Sequence, residues 1–168
     1  MAATFMDQGT AVRWFTDADI PADMEAITVA EWEAGADIAD QLVVGSSSFQ
    51  FTDPDTTDEK TYKDKGKVQQ PTYDNYEGNA TMRRDRDATG LLLPADPLTV
   101  FEHRSVGYIA LRPGQPEDEA VAAGQDYVYF KFMVTKRNPI TVPNAETEKI
   151  EVGFLPQGDS GHGVLDAT

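Results

Sequence analysis

Gly158-Asp159-Ser160-Gly161 has the residue order found around the nucleophile of trypsin-like serine proteases, and it is the one stretch of this chain that reads as catalytic. Acyl transfer at such a serine needs a histidine base within reach and an oxyanion-binding loop. The single upstream histidine, His103, falls on a predicted short helix, no oxyanion loop is evident, and the motif lies in a Gly- and Asp-rich closing stretch. A plain Gly-rich tail accounts for the four residues without catalysis. His103 and His162 stand in no metal-ligand spacing, and the absence of cysteine excludes thiolate zinc sites and disulfides alike. Asp53, Asp55, Asp58 and Glu59 have a calcium-like spacing, but the glycine at the sixth position of an EF-hand loop and the glutamate at the twelfth are missing. Lys65-Gly66-Lys67 lacks the upstream glycine and the following Ser or Thr of a phosphate-binding loop. No enzyme, cofactor or metal is expected.

The elements that would carry any site are mostly strands. In Tyr127 to Lys136, Val128, Phe130, Phe132 and Val134 alternate with Tyr127, Tyr129, Lys131, Met133 and Thr135. A period of two with one wholly apolar face predicts a strand packed on a core, its second face free to meet solvent or a partner. Ser105 to Arg112 predicts an antiparallel neighbour, and Phe49 to Thr52, Ala80 to Arg86 and Glu148 to Leu155 predict further strands. Two helices are short. Thr28 and Glu31 have the spacing of a capping box, with Gly35 as the stop, and Asp96 followed by Pro97 opens a helix carrying Leu98 and Phe101. The order contains no βαβ alternation, which predicts a mainly β (α+β) fold: two packed antiparallel sheets forming a sandwich or barrel with one flanking α-helix.

A chain of 168 residues is most simply one domain, able to bury a core without disulfides. Its net charge of −15 argues against tight binding of nucleic-acid phosphates. The charge is uneven, with 13 acids against 2 bases from Asp17 to Asp64 but 6 against 7 from Lys65 to Arg112. Such an asymmetry keeps a protein soluble and also suits complementary faces meeting when copies assemble. No apolar run approaches the roughly 20 residues needed to cross a bilayer, and no signal peptide opens the chain, so a cytoplasmic origin without membrane insertion is expected. Residues 1–24 read as an arm and 157–168 as a tail. Asp53 to Lys67 reads as a long charged loop with one aromatic and no aliphatic residue to anchor it. Interleaved Arg83, Arg84, Asp85 and Arg86 suit ion pairs within or between subunits.

Several segments, in this order, resemble the major tail tube protein of long-tailed, non-contractile phages (siphophage type), especially those infecting actinobacteria. They are Thr28-Val29-Ala30-Glu31 with Gly35 and Asp37-Ile38, Asp58-Glu59-Lys60 with Asp64-Lys65-Gly66, Asn75-Tyr76-Glu77-Gly78, Asp96-Pro97-Leu98, and Gly107-Tyr108-Ile109-Ala110. The resemblance covers roughly residues 25 to 155. It implies a two-sheet tail tube domain at 25–156 like that of the type VI secretion tube, and a homo-hexameric ring that stacks into a hollow tube. It further implies a virion protein assembled in the bacterial cytoplasm beside tape measure, tail terminator and distal tail proteins, with genomic DNA passing through the lumen without specific binding. On that reading Asp53, Asp55, Asp58, Glu59, Lys60, Lys63, Asp64 and Lys65 are expected to contact the next ring. Arg83, Arg84, Arg86, Tyr129 and Lys131 are expected at subunit interfaces. The alternative is a monomeric β-sandwich module binding a carbohydrate or protein through Trp14, Trp32, Tyr73 and Tyr76, and a serine hydrolase stands third.

Overall fold

The protein is described by a computed structural model covering residues 10–16, 18–58, 69–84, 86–116, 119–140 and 147–167. The elements are β1 (Thr10–Thr16), α1 (Val29–Ala34), β2 (Ala36–Asp37), β3 (Ser48–Asp58), β4 (Gln69–Arg83), α2 (Pro97–Val100), β5 (Val106–Pro116), β6 (Asp126–Ile140) and β7 (Lys149–Val164). All strand pairings are antiparallel, and by hydrogen bonding they make one seven-stranded sheet in the order β2-β1-β5-β6-β7-β4-β3, where two sheets were expected.

This one sheet rolls on itself. Trp14 of β1 packs 6.2 Å from Phe154 of β7 although β5 and β6 lie between those strands in the sheet. The stretch after β2 spans the gap: the Ile38 N–H donates to the Val12 carbonyl, the Val43 N–H to the Thr81 carbonyl, and the Arg83 N–H to the Gln41 carbonyl. β1 and β4 are thereby joined through a short connector. A rolled sheet needs no second sheet, because its inner face covers itself.

The inner core is built as the alternation of β6 predicts. Val128, Phe130, Phe132 and Val134 are all buried, together with Trp14, Phe49, Phe101, Ile109, Val152 and Phe154. The rings pack tilted or edge-on, Phe132 to Phe154 at 5.5 Å and Trp14 to Phe101 at 5.0 Å, the arrangements aromatic quadrupoles favour. A second core lies on the outer face, where Trp32 of α1 packs with Phe15, Tyr127, Ile27 and Leu165.

Both helices start as their sequences dictate. The Thr28 hydroxyl accepts from the Glu31 N–H at 3.2 Å and the Glu31 carboxylate accepts from the Thr28 N–H at 2.9 Å, a complete capping box. Asp96 caps α2 by accepting from the Leu98 N–H at 2.9 Å, with Pro97 in the first turn.

Three segments differ from the sequence-based expectation. The expected arm contains β1, which pairs with β5 along its length and buries Val12 and Trp14 on one face, Ala11 and Phe15 on the other. A strand covered on both faces shows no simple alternation. The expected loop from Asp53 begins as strand, since β3 runs to Asp58 opposite Gln69. Its Pro54 falls at a register irregularity in an edge strand, where a missing N–H is tolerated. The expected tail is the second half of β7, which pairs with β6 as far as Val164.

Candidate assembly surfaces

The Gly158-Asp159-Ser160-Gly161 motif sits in a β-bulge. Between the pairs Phe130↔Ser160 and Phe132↔Pro156, β6 has the single residue Lys131 while β7 has Gln157, Gly158 and Asp159. Gly158 takes φ +77°, a conformation open to glycine, within the extra residues. The Tyr76 hydroxyl plugs the opening: it donates to the Lys131 carbonyl at 2.8 Å and accepts from the N–H groups of Gln157 and Asp159 at 3.0 and 3.1 Å. On the other side the Tyr108 hydroxyl donates to the Asp159 carboxylate. Burial first, and then this carboxylate partner, hold Tyr108 protonated well above the ordinary tyrosine range. The motif is therefore a pinned strand irregularity. Ser160 lies within β7 opposite Phe130, His162 stacks on Phe51 at 5.6 Å, and His103 is exposed in the turn before β5.

The second face of β6, expected to be open to a partner, is divided. Tyr127 and Tyr129 are buried in the outer core. The Tyr127 hydroxyl donates to the Met24 carbonyl at 2.7 Å and accepts from the Ile27 N–H at 3.0 Å, tying the chain before α1 to the sheet. Burial, against the Ile27 hydrogen bond, pushes its pKa up to about 12. Tyr129 is likewise raised, by burial and then by the charge of Asp159. Gly163 lets this happen: a Cβ there would run into the Tyr127 ring and come within 2.7 Å of the Glu25 carbonyl oxygen. Farther along, Lys131 is half-buried with its ammonium 5.4 Å from the Tyr108 ring centre.

Of the expected interface arginines, Arg84 is committed inside its own subunit. Its Nε donates to both oxygens of the buried Asp96 carboxylate, at 2.9 and 3.2 Å. Arg137 secures the other end of α2, donating to the Leu98 and Phe101 carbonyls at 3.3 and 3.2 Å. Arg86 is exposed, pairing with Glu148 at 3.1 Å and donating to the Gly90 carbonyl, and Arg83 is exposed. Tyr129, at 4% exposure, is covered by its own chain. Of the expected inter-ring residues Asp53 is exposed, and Asp55 and Asp58 lie on β3. Glu59, Lys60, Lys63, Asp64 and Lys65 lie outside the described residues.

Sequence reasoning did not single out Tyr76, Tyr108 and Asp159 as a unit, because they come from three strands. The one local signal was the break in alternation at Pro156-Gln157-Gly158. Of the exposed large apolar residues, Leu91, Leu92 and Ile140 stand near Arg86 and Lys149, through the Arg86↔Leu92 bridge and the Ile140↔Lys149 pair. No helix among the described residues is long and apolar enough to cross a membrane.

No curated protein matches this chain. A rolled, mainly antiparallel sheet whose one catalytic-looking motif is a structural bulge agrees with the match to the family model for "Phage tail tube protein", which covers residues 1–167. The chain belongs to the phage tail tube proteins, structural, non-enzymatic components of the virion.

Proposed function

We propose that this chain builds the tube of a long, non-contractile, siphophage-type tail, in which hexameric rings stack around a lumen that conducts DNA into the host. The family match over residues 1–167 carries this reading. Two further observations support it. β3 ends the sheet with its outer edge unpaired among the described residues, an invitation to pair with another chain. The charge of −15 per subunit, or 6 × (−15) = −90 per ring, repels phosphate, so that DNA slides without sticking.

In this reading the stretch from Asp53 to Lys67, with Asp53, Asp55, Asp58, Glu59, Lys60, Lys63, Asp64 and Lys65, contacts the next ring. Arg83, Arg86 and Lys131 are the expected interface cations left at least partly accessible. Tape measure, tail terminator and distal tail proteins cap or fill the tube. Electron microscopy of the purified protein over a range of concentrations tests the reading: rings or tubes are expected, and dispersed monomers under all conditions would overturn it. Replacing Asp53 to Gly66 by a short Gly-Ser linker should leave a folded subunit that makes no tubes. Tubes of normal length from that variant would remove this stretch from the stacking contact.

A further inference from the structure

Charge is sorted along the strands. Of the ten described lysines and arginines, six (Arg83, Arg84, Arg86, Lys136, Arg137 and Lys149) lie where β4 and β6 end and β7 begins. Acids stand among them, with Arg86 paired to Glu148 and Lys136 to Glu151 at 2.8 Å. The same end exposes the aliphatic side chains Leu91 (67%), Leu92 (41%) and Ile140 (37%). Leu91 is held in place, because the Asp87 carboxylate accepts from the Leu91 and Thr89 N–H groups at 2.9 and 2.8 Å while Arg86 grips the Gly90 carbonyl.

The opposite end, where β6 begins and β7 finishes, has another character. Asp23, Glu25, Asp126 and Asp166 are exposed, and none forms a salt bridge among the described residues. Register and backbone bonds bring them together: Asp126 pairs with Val164, Asp166 bonds to Ile27, and the Glu25 carbonyl lies against Gly163. Arg112, bonded to the Gln125 side chain next to Asp126 at 2.7 Å, is fully buried. Val164 stands exposed beside the acids at 54%.

Two acidic ends repel one another, whereas an acidic end meets on the other end exposed aliphatic side chains interspersed with exposed arginine. Apolar contacts beside complementary charges suit a protein interface, the charges setting orientation. A contact between unlike surfaces of identical chains propagates when it does not close.

We propose that a second copy of this chain docks by its Asp126 and Asp166 end onto the Leu91, Leu92 and Ile140 end of the first, Arg83 facing its carboxylates. The proposal rests on the tube reading and adds two surfaces to its axial contact, beside the stretch from Asp53 to Lys67.

The test is a charge swap in the full chain: Arg83→Glu alone, Asp126→Lys with Asp166→Lys, and all three together. Sedimentation and electron microscopy give the critical concentration for polymerisation, and thermal melts check the fold, with Arg83→Gln used if Arg83→Glu melts early. Each partial variant should raise the critical concentration about tenfold or more, the combination should restore it, and added salt should weaken wild-type assembly. Unchanged critical concentrations, or loss without restoration, would overturn the docking surfaces while wild-type tubes leave the tube reading standing. Wild-type protein that never assembles would instead overturn the tube reading, and this proposal with it.

Discussion

On its inner face β6 sets Val128, Phe130, Phe132 and Val134 against other apolar side chains, and shape alone holds them. On its outer face it sets Tyr127 and Tyr129 beneath α1 and the chain before it, where the Tyr127 hydroxyl satisfies two backbone groups of another segment. Both faces are buried, yet the β6 side chains on one are wholly apolar and those on the other carry hydroxyls. The inner face therefore defines the sheet, while the outer face positions what lies on top of it. A buried hydroxyl with two fitted partners is an address: it specifies which segment docks and at what height.

This difference can be broken from either side. The largest effect is expected from Phe132→Asp, which places an uncompensated carboxylate in the inner core at a cost of several kcal/mol, comparable with a typical total stability of about 5–15 kcal/mol. The variant should be insoluble. A soluble Phe132→Asp protein with a cooperative melt would contradict the two-faced account of β6. Next comes Gly163→Ala, whose new methyl meets the Tyr127 ring and the Glu25 carbonyl, an overpacking expected to cost about 1–3 kcal/mol in denaturant unfolding.

Tyr127→Phe keeps the ring and removes the address. It leaves the Ile27 N–H and the Met24 carbonyl without their hydroxyl partner, for an expected loss of about 1–3 kcal/mol. The same variant sharpens the comparison through pH. The folded-state pKa of Tyr127 is raised to about 12 from the ordinary 10. A raised pKa means that the stabilisation is fully present below pH 10 and is lost as pH rises through about 12. Wild type should therefore lose stability over that window, and Tyr127→Phe should lose less; equal slopes would show that the hydroxyl does not titrate as its burial requires. The smallest effect is expected at Ser160→Ala, within about 0.5 kcal/mol, with no labelling of wild-type Ser160 by a fluorophosphonate. Labelling, with infectivity lost in the alanine variant, would reopen the hydrolase reading.

How far the sequence was legible follows the same division. The inner face of β6, the β5 neighbour, the capping box at Thr28 and the Asp96-Pro97 opening are local patterns, and the structure contains each of them. β1 escaped because both its faces are covered, so TAVRWFT does not alternate apolar with polar. The end of β7 escaped because its glycines, which read as tail, give room to rings on the neighbouring strand. Arg84 read as an interface residue because its partner Asp96 lies twelve positions away, in the cap of a helix. Pairings that depend on the rolled sheet leave no trace in any one segment.

The position of β1 has a consequence for synthesis. Its partner along the whole strand is β5, which starts ninety residues after β1 ends, while β2 covers only Arg13 and Trp14. At a translation rate of about 5–20 residues per second, Val12, Trp14 and Phe15 leave the ribosome about 5–20 s before their principal partner has been made. During that interval a strand with two apolar faces has no sheet to join. The nascent chain thus has a defined vulnerable period, closed only when β5 reaches β1, and a chaperone that shields this segment would raise yield without touching the stability of the finished fold.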